Sequence, residues 1–143
     1  ATGPVCKWLR HFIANAPLRG TPLNEVLCGS ESAMEIATIE CKRIHDWESF
    51  HSEFDRVFGF PDFYGENMDA WIDCLSSIDC PEEGMTKIHC KAGDTMTILL
   101  KDAKEFKLRC PAQWEALNEC AAFVSWRVLE QGQRPLLSLA YYA

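Results

Sequence analysis

The most informative part of the sequence lies between Phe60 and Leu75 and reads FPDFYGENMDAWIDCL. Its first half is rich in turn-forming residues, whereas its second half carries apolar side chains at helical spacing. A helix from about Asn67 to Ser77 is therefore predicted, with one side buried. The predicted buried side consists of the residues spaced i, i+3, i+4 and i+7: Met68, Trp71, Ile72 and Leu75.

Two aspartates lie outside that apolar stripe, one helical turn apart. Asp69 and Asp73 leave neighbouring positions of the helix surface. Like charges at this spacing destabilise a helix by about 0.2–0.5 kcal/mol, and a Lys or Arg at either position would remove that cost. Two carboxylates about 6 Å apart on a rigid helix resemble successive phosphates, and arginine binds both kinds of anion. The pair indicates a surface that binds a protein with a cationic cleft.

The acidic residues of the chain are concentrated in the same region. The 143 residues suffice for one domain and carry a net charge of −7, while the segment from Val57 to Thr86 holds seven acids and neither Lys nor Arg. The rest of the chain is therefore neutral. The charge argues against non-specific binding to nucleic acid. A solvated acidic face that merely keeps the protein soluble is the alternative interpretation of such a run.

The cysteines and the hydropathy exclude several further classes. Eight cysteines occur without a single C-x-x-C pair, so no structural zinc site is predicted. The thiols are predicted to be buried and reduced, in a cytoplasmic protein. No run of about 18 apolar residues predicts a membrane span, and neither a cofactor nor a resident metal is expected.

The segments on either side predict alternating strands and helices. A strand is expected over Met34–Cys41, followed by a helix that Asp46 caps. Two strands over Met85–Lys91 and Thr95–Leu100 predict an inserted hairpin around residues 80–94. The remaining predictions are a short helix over Asp102–Leu108, a long helix from Pro111 to Gly132 and a strand over Leu136–Tyr142. This order is typical of an α/β domain with a parallel sheet and right-handed crossovers.

A known family shares the central motif. The core Y-G-E-N-x-D-A-x-x-D-C-L, from Tyr64 to Leu75, resembles the signature of the barstar family, small intracellular proteins that inhibit ribonucleases such as barnase. The resemblance covers roughly residues 34 to 142. It implies a small parallel β-sheet flanked by helices over residues 34–143, which form the inhibitor domain, preceded by an N-terminal extension over residues 1–33.

The resemblance also implies a function and a contact set. It implies a bacterial cytoplasmic immunity protein, not an enzyme, that binds a cognate ribonuclease toxin one to one, as in a toxin–antitoxin pair. No nucleic-acid or membrane partner is implied. Asp73 would be the central anchor in the basic active-site cleft and Asp69 a second ion-pair partner. The resemblance places the supporting contacts at Asn67, Gly65 and Phe63. Glu66 and Ile72 complete the predicted contact set, with a solvated or capping side chain near the helix start as the alternative for Glu66.

This chain departs from the family pattern near the implied interface. Phe63 and Ile72 stand where the family has Tyr and Trp, and Arg127 stands near a position where the family has an acid. These departures suggest a different cognate toxin. Two other functions stay open: a metal-dependent phosphoryl-transfer enzyme using the Asp69/Asp73 pair, although no Gly-rich phosphate loop is present, and a non-inhibitory interaction module on the same fold.

Overall fold

The computed structural model of the protein describes residues 35–143. The predicted extension over residues 1–33 lies outside the described residues. Within them the secondary structure follows one strand, two helices, one strand, two helices and one strand. The bounds are β1 Glu35–Glu40, α1 Trp47–Phe58, α2 Met68–Ser76, β2 Met96–Lys101, α3 Ala103–Arg109, α4 Pro111–Leu129 and β3 Leu137–Tyr141, with 3₁₀ turns at Cys41–Arg43 and Pro81–Glu83.

The three strands form one parallel sheet in the order β1-β2-β3. In the register, Glu35 pairs with Met96, and Met96 pairs with Leu137. Parallel strands cannot be joined by a tight turn and need a crossover. Helices α1 and α2 lie in the crossover from β1 to β2, and α3 and α4 lie in the crossover from β2 to β3. The predicted α/β class with a small parallel sheet flanked by helices is confirmed.

Local signals explain where α1 begins and ends. The Asp46 carboxylate accepts the backbone N–H of Ser49 at 2.8 Å, and the Ser49 hydroxyl accepts the backbone N–H of Asp46, which completes a capping box. Gly59 ends the helix with a φ of 67°, in the left-handed region. A Cβ at Gly59 would also lie 2.6 Å from Cδ of Lys87, so only glycine fits there.

The core lies between the helices and the sheet and is rich in aromatic rings. Phe50, Phe54 and Phe58 are fully buried along α1, and the ring of Phe54 meets that of Trp71 edge to face at 5.7 Å. Trp71 and Leu75 on α2 are also fully buried. Truncating such a large core side chain costs about 3–5 kcal/mol. This packing gives α2 a fixed position on the body of the domain.

The inserted hairpin predicted around residues 80–94 is wrong. Residues 84–95 are turns and irregular chain, and the next strand begins at Met96. The backbone N–H of Lys87 is bonded to the carbonyl of Phe58 at 2.7 Å, and that of Cys90 to the carbonyl of Ile78 at 3.2 Å. The first bond reaches the last residue of α1 and the second reaches Ile78, two residues after α2, so the segment gains tertiary partners in place of a strand ladder.

The six cysteines among the described residues are free thiols, and five of them are buried. Burial is the main cause that raises the pKa of Cys41 to about 12 and that of Cys74 to about 11. The Cys41 and Cys74 thiols are therefore protonated at neutral pH. The burial of five of the six described cysteines agrees with the predicted burial. Cys6 and Cys28 lie outside the described residues. Between residues 35 and 143, every helix is either too short or too polar to span a bilayer.

Candidate partner-binding site

The turn before α2 is organised by Asn67 and Gly65. Asn67 is the N-cap of α2: its Oδ1 accepts the backbone N–H of Ala70 at 2.9 Å. Its Nδ2 donates to the carbonyl of Gly65 at 3.1 Å. A Cβ at Gly65 would lie only 3.0 Å from that Nδ2, so glycine leaves room for the bond. Both residues thus set the direction in which α2 leaves the turn.

The other residues of the turn divide into an exposed and an anchored group. Phe63 is 75 % exposed. Glu66 is exposed and has a φ of 50°, a left-handed conformation that costs a non-glycine residue about 1–2 kcal/mol. Tyr64 packs on the core, and its hydroxyl lies 2.5 Å from Nδ1 of His51 on α1. Tyr64 therefore holds the turn against α1, while Phe63 and Glu66 face solvent.

The first aspartate, Asp69, lies at the N-terminal turn of α2, next to α4. It is half-buried, and its Oδ1 is buried without a hydrogen-bond partner among the described residues. The charge of Asp69 contributes, after burial and Glu119, to raising the pKa of the Cys120 thiol on α4 to about 11. The helix dipole stabilises an acid at this position. Asp69 therefore keeps one carboxylate oxygen out of contact with solvent, while the residue as a whole stays partly exposed.

The second aspartate, Asp73, lies one turn further along α2 and is half-buried. Its charge acts on two neighbours. After burial, it is the next cause that raises the pKa of the Cys74 thiol. It also opposes the burial that lowers the pKa of Arg127 on α4. Arg127 Nη1 donates to Ser76 Oγ on α2 at 3.1 Å, which places this cation near Asp73.

The Ile72 prediction needs a correction. The side chain of Ile72 is fully buried, as is that of Trp71. Ile72 belongs to the buried stripe of α2, so its side chain is not available to a partner, whereas Trp71 lies in the core as expected. Phe63 is the exposed aromatic residue on this side of the turn. The structure thus leaves Asp69, Asp73 and Phe63 at least partly exposed and excludes the side chain of Ile72.

Two features of the region escaped the sequence analysis. The Ser77 hydroxyl donates to the carboxylate of Glu83, so the acidic 3₁₀ turn lies against the C-terminal end of α2. Trp126 on α4 is 57 % exposed, and its Nε1 donates to Glu130 at 2.8 Å. A signal for Trp126 was present in the helical spacing, because it lies off the stripe of Leu117, Ala121 and Val124, which are buried. No local pattern indicates the bond to Glu83.

The residues near Asp69 and Asp73 give little support to the alternative of a metal-dependent phosphoryl-transfer enzyme. Within residues 35–143, no group of three or more His, Cys, Asp or Glu side chains gathers as it would to hold a metal ion. Asp69 and Asp73 supply two carboxylates, one of which lies near the cation of Arg127. Divalent cations in proteins usually take more oxygen ligands than this.

Comparisons with known proteins assign the chain to a family. A family model described as Barstar (barnase inhibitor) matches residues 34–139. A search of curated protein sequences returned no match. The matched range includes the four helices of the described residues, the turn before α2, and the three strands, apart from the last two residues of β3. The chain belongs to the barstar family of barnase-type ribonuclease inhibitors.

Proposed function

We propose that this chain is an immunity protein that binds a ribonuclease toxin one to one and occludes its active site with α2. Inhibition without catalysis is the activity described for the family. The observation that supports the proposal best is the pair of half-buried aspartates on α2, one with an oxygen that lacks a donor. Asp73 is the proposed central anchor, and Asp69 is the second ion-pair partner.

The state of these carboxylates favours a cationic partner. A buried acceptor without a hydrogen bond costs about 1–3 kcal/mol. An Arg or His⁺ of a ribonuclease cleft, which would otherwise hold RNA phosphate, can donate to the partly exposed carboxylates of Asp69 and Asp73 in short charge-assisted bonds. The attraction between such a cation and the carboxylate charge would offset part of the cost of holding Asp69 Oδ1 away from water.

The surface is also rigid before binding. Trp71 and Leu75 anchor α2 to the core, and Asn67 caps its first turn. Ordering a mobile side chain or loop at an interface costs about 0.5–1.5 kcal/mol per side chain. A helix held by core packing avoids much of this cost. The exposed Phe63 and Glu66 and the backbone around Gly65 are the proposed contacts around the two acids.

The distribution of charge supports fast association. The surplus of negative charge lies between Val57 and Thr86, and Glu83 is tied to the end of α2. A concentrated patch of one sign steers an oppositely charged partner and raises association rates by about 10- to 1000-fold. We place Glu82 and Glu83, both exposed, among the steering charges at the edge of the interface.

A cytoplasmic location is part of the proposal. The free thiols of the described residues are compatible with a reducing compartment. An inhibitor kept there would protect the producing bacterium from its own toxin.

The test is a binding measurement with two ribonucleases, barnase and any ribonuclease encoded beside this gene. Titration calorimetry with the full chain is expected to give one inhibitor per enzyme and loss of RNA cleavage for at least one of them. Asp73→Ala should weaken that complex by about 3–5 kcal/mol, because the partner's cation is left buried and unpaired. Glu48→Ala, which removes the same charge from an exposed position on α1, is the matched control.

The outcomes separate the three candidate functions. Near-native affinity of Asp73→Ala would reject the proposed anchor. Binding to neither ribonuclease would favour the non-inhibitory module. Stoichiometric uptake of Mg²⁺ or Mn²⁺ in equilibrium dialysis, abolished by Asp69→Asn, would favour the phosphoryl-transfer enzyme.

A further inference from the structure

Arg127 is a cation that the fold places beside an acidic surface. It lies on α4, and its Nη1 donates to Ser76 Oγ on α2 at 3.1 Å, across 51 residues of sequence. Ser76 follows Asp73 by three residues, so the two side chains leave neighbouring positions on the surface of one helix. The guanidinium is therefore held within about one helical turn of the Asp73 carboxylate.

Helix α2 supplies no positive charge of its own at this end. Its last turn contains no basic residue, although the C-terminal end of a helix carries partial negative charge that favours a cation. Asp73 adds a full negative charge in the preceding turn. Arg127 thus provides from α4 the cation that the sequence of α2 lacks.

The charges around Arg127 fit this role. Arg127 is half-buried, and the burial that lowers its pKa is opposed by the carboxylate of Asp73. Because the attraction between two charges acts on both, the same interaction favours the ionised form of Asp73. The nearest acid along α4, Glu130, accepts the indole N–H of Trp126 at 2.8 Å. Asp73 is the carboxylate whose charge favours the protonated form of Arg127.

We propose that Arg127 is a positioning residue for the binding surface: it ties the last turn of α2 to α4 and serves as the internal counter-ion that keeps Asp73 ionised and in place. The effect of Arg127 on binding rests on the function proposed above. A cation of the ribonuclease must reach Asp73 from the side away from Arg127, because two cations on the α4 side would repel each other. Arg127 thereby restricts which arrangements of positive charge in a cleft this inhibitor accepts.

The first test is an NMR pH titration of the Asp73 side-chain carboxyl in the free, full-length protein. Arg127→Gln is expected to raise the pKa of Asp73, because the ionised form loses its counter-ion. Lys104→Gln removes the same charge from an exposed position on α3 and should leave that pKa unchanged. An Asp73 pKa that is the same in the wild type and in folded Arg127→Gln would overturn the proposal.

Two further variants separate the counter-ion from a side chain that only fills space. Arg127→Lys keeps the charge and is expected to hold the Asp73 pKa nearer to the wild type than Arg127→Gln does. Equal titrations of the Lys and Gln variants would reject the electrostatic role. Ser76→Ala keeps the cation but removes its tether, so a smaller rise in the Asp73 pKa is expected. If Arg127→Gln does not fold, an unchanged titration in Ser76→Ala overturns the proposal.

The titration needs no partner, so it tests the role of Arg127 separately from the proposed function. A ribonuclease complex that depends on Asp73, combined with an Asp73 pKa that Arg127 does not influence, would reject the role of Arg127 and leave the inhibitor function standing. An Asp73 pKa that does respond to Arg127, without binding to either ribonuclease, would support the counter-ion and reject the function.

Discussion

Removing the carboxylate of Asp69 is expected to stabilise the free protein and to weaken the proposed complex. Asp69 Oδ1 is buried and accepts no hydrogen bond from the described residues, which costs about 1–3 kcal/mol. Repulsion from Asp73 adds about 0.2–0.5 kcal/mol. Against this, Asp69 lies in the first turn of α2, where the helix dipole stabilises an acid by about 0.3–1 kcal/mol. These ranges combine to an expected rise in the free energy of unfolding of about 0.2–3 kcal/mol for Asp69→Ala, centred on about 2 kcal/mol.

Urea unfolding of the free protein at neutral pH measures this change. The midpoint should move to higher urea with an unchanged slope, since the surface exposed on unfolding is nearly the same. Glu48→Ala is a matched control, because Glu48 is an acid in the first turn of α1 but is exposed. It should lose about 0.3–1 kcal/mol, the benefit of the dipole alone. If Asp69→Ala proves no more stable than Glu48→Ala, the reasoning about the buried oxygen is refuted.

The same variant, Asp69→Ala, also tests whether Asp69 lowers the stability of the free protein while it raises the affinity for the partner. In the complex, loss of Asp69 should leave the partner's cation without one of its acceptors, so affinity falls while the free protein becomes more stable. Proteins commonly retain such destabilising groups where function requires them. A variant that loses stability and affinity together would indicate that Asp69 is a structural residue of α2.

Two further predictions concern the support of the turn and of α2. Asn67→Ala should cost about 1 kcal/mol of stability through loss of the helix cap and weaken binding, whereas Asn67→Asp should keep the cap; equal urea midpoints for the two variants would contradict this. Burial lowers the pKa of His51 below its ordinary 6.5, so the unfolded chain binds this proton more readily, and stability should fall as the pH decreases below about 6.5. Urea unfolding at about pH 7.5 and about pH 5.5 tests this, and His51→Gln, which removes the titrating ring facing Tyr64, should lose part of the dependence; an unchanged dependence would assign it to other groups.

Much of the fold could be predicted because its signals are local. The spacing of Trp71 and Leu75 by itself predicts which side of α2 faces the core, and both are fully buried. The Asp46 cap acts within the first turn of α1, so the start of that helix followed from the sequence. The alternation of strands and helices likewise predicted the parallel sheet, since crossover rules leave few other arrangements.

The predictions that failed depended on contacts between distant segments. The segment Met85–Lys91 has the composition of a strand, yet the N–H groups of Lys87 and Cys90 bond to carbonyls at the end of α1 and just after α2. Ile72 was placed among the partner contacts by position in the family motif, and core packing removed its side chain from the surface. A strand-like pattern predicts that residues can pair in a sheet. Whether they do depends on the hydrogen-bond partners that the fold brings near them.

The sequence therefore established the α/β class, the barstar family and the two aspartates one turn apart on α2. Tertiary packing alone determined that Asp69 would have a buried oxygen without a donor and that Arg127 would lie near Asp73. The physical reason is distance along the chain. Helix and cap signals act over a few residues, whereas the burial and charge around each aspartate depend on contacts with α4. At the Arg127–Ser76 hydrogen bond, α4 and α2 are 51 residues apart in the sequence.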